Sequence, residues 1–393
     1  MAFNYVVWPF PPNWTQPVRE TLDWLTDVIG AYRGNEQRIE VRSKPRQSFE
    51  YTSTVKNNES AIADNLLWGN QNLPWGLPLW LGRTTLGASV SIGATSLTVN
   101  TVNKGFYEGG YAIILKDSLN YEVVEIDTLT DTTITPVDPT TGAWASGTRV
   151  YPLVIARMPG SITSRRITDA LTELGISFNC DPATTSPNIP SSTAAVTYNG
   201  YEVILRKPNW AEPLQFGNDY ESALVDYQTG AVAGFATNDF PRLSRRFQWV
   251  FKNTADLVEF RKLLGRLKGR LKAVYMPTWM ADFQLYSTEL SSSTSIKVKT
   301  NEFHRLVGTD PALKTLMIMI NDVPIYKTIQ STSVTGAYTT LTLTTTIGVA
   351  LNSTTVQRIC LMHLCRLTTD QVTINYLSDS VATVDANFTL VKA

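Results

Sequence analysis

Histidine occurs twice and cysteine three times in 393 residues. With only His304 and His363 available, Ser-His and Cys-His nucleophilic catalysis has almost no candidates. Cys180, Cys360 and Cys365 cannot all pair, which points to a reducing site of synthesis rather than a disulfide framework. The Asn-x-Ser/Thr matches at Asn58 and Asn387 then carry no weight. Charge of one sign is not in excess either: Lys+Arg and Asp+Glu both number 34. A general affinity for nucleic acid or acidic membrane would need a basic surplus, whereas balanced charge offers little resistance to self-association. No apolar run reaches the roughly 18 residues of a membrane span. The opening MAFNYVVWPFPPNW lacks a basic region and is broken by prolines, so no signal peptide is expected. A Gly-rich phosphate loop, a G-x-S-x-G elbow and an H-E-x-x-H helix are all missing.

What is there is ordinary globular composition, 43% hydrophobic and 17% charged, in a chain long enough for two or three domains. Its best-defined stretch is residues 245–283, RRFQWVFKNTADLVEFRKLLGRLKGRLKAVYMPTWMADF. Phe247, Trp249 and Phe251 alternate as on a strand. Leu257, Phe260, Leu263, Leu264, Leu267 and Leu271 then recur at helical spacing, and Arg261, Lys262, Arg266, Lys268, Arg270 and Lys272 fill the remaining arc. Asn253 or Thr254 can cap the helix, with Asp256 in the first turn. Gly265 and Gly269 weaken its second half, and Pro277 forbids continuation.

Upstream, Val18, Leu22, Leu25, Ile29 and Tyr32 fit an amphipathic helix over 17–32, with Pro17 in its first turn and Gly34 at its stop. A strand pair (38–42 and 48–54), a short helix (60–68) and a turn-rich stretch (71–80) follow. Residues 84–155 contain short strands punctuated by Gly, Asp and Pro, as in a small β-barrel or sandwich. Residues 159–196 read as a connector, with a strand and short helix in SITSRRITDALTELGISF and a linker in DPATTSPNIPSST.

Then the pattern restarts. Pro12–Trp14 returns as Pro208–Trp210, Pro17 as Pro213 and Pro45-Arg46 as Pro241-Arg242, all at an offset of 196. Phe49-Glu-Tyr51 returns as Phe247-Gln-Trp249, and Pro78-Leu-Trp80-Leu as Pro277-Thr-Trp279-Met. The order and nearly constant offset predict an internal duplication, too long in period for a solenoid. The expected fold is β-rich α+β, two tandem similar domains, each a β-sandwich with a packed helix and an inserted small β-barrel or sandwich. The expected limits are a first core over 1–82, a first β insert over 83–158, a connector over 159–196, a second core over 197–282, and a second insert with C-terminal strands over 283–393. Gly217, Asn218 and Asp219 break the second counterpart of the early helix. Trp14, Trp80, Trp210 and Trp279 hold equivalent repeat positions, which favours packing over ligand stacking.

Few residues invite chemistry. Cys360, His363 and Cys365 tempt a metal reading, but on a strand only His363 and Cys365 share a face, and the spacing is not that of a zinc knuckle. No metal, cofactor or catalytic residue is expected. Asp117, Glu122, Glu125 and Asp127 would supply a hydrolase with paired carboxylates, yet the second copy has Lys327, Thr328 and Ile329 there. A glycan-binding module would draw on Tyr107, Tyr111, Tyr121 and Trp144. The basic helix is either a solvated face or one turned toward phosphate or an acidic partner.

The run R-R-F-x-W-x-F, F-R-K-L-L-x-R-L-x-G-R and Y-M-P-T-W-x-x-D-F resembles tail proteins of long-tailed bacteriophages and gene transfer agents. It is most similar to the distal tail protein group at the tail–baseplate junction; EQRIEVRSKPRQSFEY and PNWTQPV in the first copy look alike in kind. The resemblance covers about 40 residues per copy. It implies a virion structural protein, made in the host bacterial cytoplasm and without enzyme activity. Such a protein forms a ring at the distal end of the tail tube. The implied partners are further copies of the chain, the tail tube protein, the baseplate hub and tail fibres. Tape measure and DNA would pass the lumen without sequence readout, and no membrane is involved. Ordinary members carry one such domain and form hexameric rings. Two per chain would let three chains build a pseudo-sixfold ring, or six chains a ring with an outer collar or a second tier. The alternative is a carbohydrate-binding receptor module or a tail fibre or baseplate accessory protein.

Overall fold

The computed structural model describes residues 3–31, 34–70, 73–160, 162–181, 196–211, 213–219, 222–236, 242–308 and 310–392. The molecule is mainly β: among these residues the α-helices are Asn58–Gly69, Thr254–Leu267 and Phe303–Leu306, and antiparallel strands make up most of the rest. Most of the linker expected after Asp181 lies outside the described residues, as do Tyr32 and Pro241.

The strand Arg242–Phe251 buries Phe247, Trp249 and Phe251 on one face. The Asn253 side chain caps the following helix, accepting from the Asp256 N–H at 2.8 Å. Leu257, Phe260, Leu263, Leu264 and Leu267 are buried along its inner stripe. It stops at Leu267, one turn short of the expected Leu271, because Lys268 (φ 52°) and Gly269 (φ 65°) leave in the left-handed region. A Cβ on Gly269 would lie 2.4 Å from the Asp370 Oδ1, so glycine is needed there for both conformation and room.

The early amphipathic helix is not formed. Residues 18–30 are a strand, Val18–Gly30, in which Val18, Glu20, Leu22, Trp24 and Thr26 point inward while Leu25 and Ile29 are exposed. Val18 and Leu22 satisfy both periods, and pairing on both sides decides for the strand. The two strands expected at 38–42 and 48–54 are one, Glu36–Lys56. Its register slips between the Asp23–Arg46 and Leu25–Arg42 pairs, which takes Pro45 out of the ladder, where its missing N–H is harmless. Gly217, Asn218 and Asp219 do not break an element but lie in the strand Gln215–Asp219. The expected connector also changes character. Thr163–Arg166 and Leu171–Cys180 form a hairpin, without the anticipated short helix, and Leu171–Cys180 pairs with Glu36–Lys56.

These strands form one continuous antiparallel sheet. Its order is Thr163–Arg166, Leu171–Cys180, Glu36–Lys56, Val18–Gly30, Gln371–Tyr376, Ala382–Leu390, Arg242–Phe251 and Gln215–Asp219. A second layer packs on it. In the first half Val6–Val7 runs parallel to Trp75–Pro78, which pairs antiparallel with Arg149–Arg157. In the second half Tyr201–Val203 runs parallel to Val274–Pro277, which pairs with Val356–Leu367. Trp8 meets Phe178 edge-on at 6.3 Å, and Trp80 Nε1 donates to the Tyr51 hydroxyl at 3.2 Å. One apolar core runs through both halves, from Val7 to Val391. The inserted strands enclose two smaller cores, one around Leu97, Ile114 and Ile134 and one around Ile296, Ile318 and Leu341.

Candidate assembly interface

The centre of the sheet is where the halves meet: Val18–Asp23 lies antiparallel to residues 371–376, with Thr21 opposite Thr373. Both sides of this join are held by charge. Strand alternation turns Glu20 inward, where it is fully buried. It accepts from Arg261 Nη2, the Tyr376 hydroxyl and Gln47 Nε2, each at 2.6 Å. Burial opposes the Arg261 charge, but Glu20 and Tyr376 outweigh it and hold the guanidinium above its usual range. Burial and the Glu20 carboxylate push the Tyr376 phenol well up, so it stays a donor.

The rest of the first hairpin is gripped in the same sense. Arg366 forks onto Glu36 at 2.7 and 2.8 Å, and Lys268 reaches Glu40 at 2.7 Å. Asp370 accepts the backbone N–H groups of Thr26 and Arg270 at 2.9 and 2.8 Å, and Arg270 donates to the Thr26 carbonyl at 2.6 Å. Burial works against the Asp370 charge, yet these donors keep its carboxyl below the usual range. The join thus sets Glu20, Glu36 and Glu40 of the first half against Arg261, Lys268 and Arg366 of the second.

This locates the basic helix expected to face a lumen or partner. Arg261 and Lys268 bind the first half, Arg266 pairs with Glu202 at 2.6 Å, Arg270 with Asp370, and Lys262 with Glu259 at 2.6 Å. Lys272, past the helix end, is exposed. Two of these cations thus reach acids of the first half, whereas Arg266, Arg270 and Lys262 pair with acids of their own half. The carboxylates were not singled out in the sequence, because acids spaced along VRETLD and EQRIEV look like a solvated face.

The four tryptophans expected at equivalent repeat positions separate into two kinds. Trp80 and Trp279 are 6% and 2% exposed and pack in the core, whereas Trp14 and Trp210 are 36% and 52% exposed and are not packing anchors. Trp14 and Trp279 do share a left-handed backbone, φ 57° and 59°.

The other candidates stay apart. Glu122 is taken up inside the first insert, accepting from Trp144 Nε1 at 2.6 Å and from the Thr141 and Gly142 N–H groups. This fixes the half-buried Trp144 indole in place. Tyr111 packs edge-on against Phe3, and Tyr121 and Asp127 are exposed. Cys360, His363 and Cys365 are all buried, and among the described residues no cluster of His, Cys, Asp and Glu could hold a metal. Burial, with Arg245 nearby, pulls the His363 imidazole down to about 4, and burial pushes the Cys360 and Cys365 thiols up to about 12. Among the comparisons with known proteins, no family model and no curated sequence matches this chain.

Proposed function

We propose that this chain is an internally duplicated structural subunit of a bacteriophage tail. It would form a ring at the distal end of the tail tube, join the tube to the baseplate, and leave a channel for tape measure and DNA. The reading rests on the tail-protein resemblance of residues 245–283 and acts without catalytic turnover.

One observation carries the duplication and the ring together. The sheet order reads as two successive four-stranded units: Thr163–Arg166, Leu171–Cys180, Glu36–Lys56 and Val18–Gly30, then Gln371–Tyr376, Ala382–Leu390, Arg242–Phe251 and Gln215–Asp219. The second layers follow suit, with the same parallel pair and the same antiparallel neighbour in each half. Two like units joined head to tail by their edges are the start of a rotational array. With strands about 4.8 Å apart and tilted near 40°, three such chains would close a barrel of backbone diameter roughly 50 Å, and six roughly 100 Å. The smaller ring suits a tube that passes a DNA duplex, so three chains in pseudo-sixfold order are the favoured assembly.

Native mass of the purified protein, with negative-stain images of the same peak, tests this. Three chains with six lobes around a hole are expected. Six chains around a hole would keep the tail role and refute the pseudo-sixfold arrangement, and a chain that remains monomeric at every concentration would remove the ring altogether.

A further inference from the structure

The two outer strands of the sheet are the counterparts of the two strands joined at its centre. Gln371–Tyr376 is bonded on both sides, to Ala382–Leu390 and to Val18–Gly30. Its counterpart Thr163–Arg166 has only Leu171–Cys180, among the described residues. The two hairpins correspond residue by residue at an offset of 210: TSRRITDALTELGISFNC (163–180) against TINYLSDSVATVDANFTL (373–390). Their turns close alike, Ile167 and Thr168 N–H bonding to Leu171 O, and Leu377 and Ser378 N–H to Val381 O. At the far end, Gln215–Asp219 has Arg242–Phe251 on one side and, among the described residues, no strand on the other, whereas its counterpart Val18–Gly30 is paired on both.

We propose that these open edges bind each other between copies of the chain: Gln215–Asp219 of one copy adds antiparallel to Thr163–Arg166 of the next. This repeats between chains the join found within one, and it rests on the ring reading above. An unpaired edge is a template for another strand, and here the complementary edge lies at the opposite end of the same sheet, which gives a head-to-tail contact able to close a ring. Residues 163–166 are exposed throughout, as is Phe216 at 41%. Apolar surface accompanies both edges. Next to the receiving strand, the first helix carries Trp68 at 82% exposure, with Leu73 at 52% beyond its end. Beyond the incoming strand in sequence, the separate hairpin of Ser222–Asp226 and Val232–Ala236 shows Leu224 at 74%, Val232 at 59% and Phe235 at 54%. Where the central join uses Lys268 and Arg366 on Glu40 and Glu36, the outer join uses apolar contact. That difference keeps the two from exchanging partners.

The register is testable. In the central join Thr21 faces Thr373, their hydroxyl oxygens 3.3 Å apart. Carried over, Gln215 falls opposite Thr163 when matched through neighbouring strands, and opposite Arg165 when counted from Pro17 and Pro213. Both sites lie on one strand face. The experiment is disulfide trapping in the full chain, helped by native thiols that are all buried. Thr21→Cys with Thr373→Cys is the positive control and should crosslink within one chain, leaving the mass of the denatured chain unchanged. Gln215→Cys chains mixed with Thr163→Cys or Arg165→Cys chains should give reducible dimers in one of the two pairings. A chain carrying both members of that pair should give closed multimers. A native oligomer with a working control and no crosslink in either pairing would overturn this edge contact and leave the ring standing. A chain that folds, passes the control and stays monomeric would overturn both.

Discussion

At the scale of single residues, the decisive group is Glu20, a carboxylate fully buried at the join and bound by Arg261, Tyr376 and Gln47. Removing one member of such a pair strands the other charge. Glu20→Ala should therefore destabilise the chain by about 3–5 kcal/mol in urea unfolding, while Glu20→Leu with Arg261→Met should recover most of the loss. Equal losses in the single and double variants would show that the cluster acts through packing alone. His363 gives the opposite kind of signal. Its folded value of about 4 lies below the ordinary 6.5, so between these values the unfolded chain takes up a proton that the folded chain does not. Stability from this group is full above about pH 6.5 and is lost as pH falls toward 4, by up to roughly 3 kcal/mol. His363→Gln should flatten that part of the stability–pH curve. An unchanged slope would place the acid sensitivity elsewhere.

Among elements, the strand–helix unit of 242–267 was legible because two periods and a cap agree locally. Its end is set by contact: Gly269 sits against Asp370 and the Cβ of Trp24. Gly269→Ala should cost more than about 1 kcal/mol and loosen the join as well as the helix end, read as faster amide exchange at Thr26 and Arg270. Exchange that rises at the helix end alone would separate the two. The strand Val18–Gly30 shows the limit of periodicity. Val18 and Leu22 fit helix and strand alike, and Leu25 and Ile29, which argued for the helix, are surface residues of a long hairpin. The hairpin 163–180 looks like a connector in the sequence because its match to 373–390 sits at an offset of 210, while the matches of prolines and aromatics run at 196–199.

For the whole molecule, the halves share one core, and Arg261 and Lys268 of the second reach Glu20 and Glu40 of the first. The proposed ring makes a further demand: contact between chains should depend on surface that folding does not need. Trp68→Glu changes a side chain that is 82% exposed and should leave the melting temperature within about 2 °C, consistent with the small effect of surface substitutions. It should shift the native mass from ring to single chain. A ring that survives Trp68→Glu would move the contact away from the first helix.

The sequence by itself determined the β-rich composition, the inserted strands, the capped basic helix and the order of the repeated prolines and aromatics, since each follows from local period, turn chemistry or self-comparison. Tertiary structure alone decided that residues 18–30 extend, that Trp14 and Trp210 lie outside the core, and that the basic helix faces Glu20 and Glu40 rather than solvent. Those outcomes depend on pairing between distant residues, such as Glu20 with Arg261 and with Tyr376, 241 and 356 positions apart. No local pattern encodes which distant strand or charge will arrive to bury a residue.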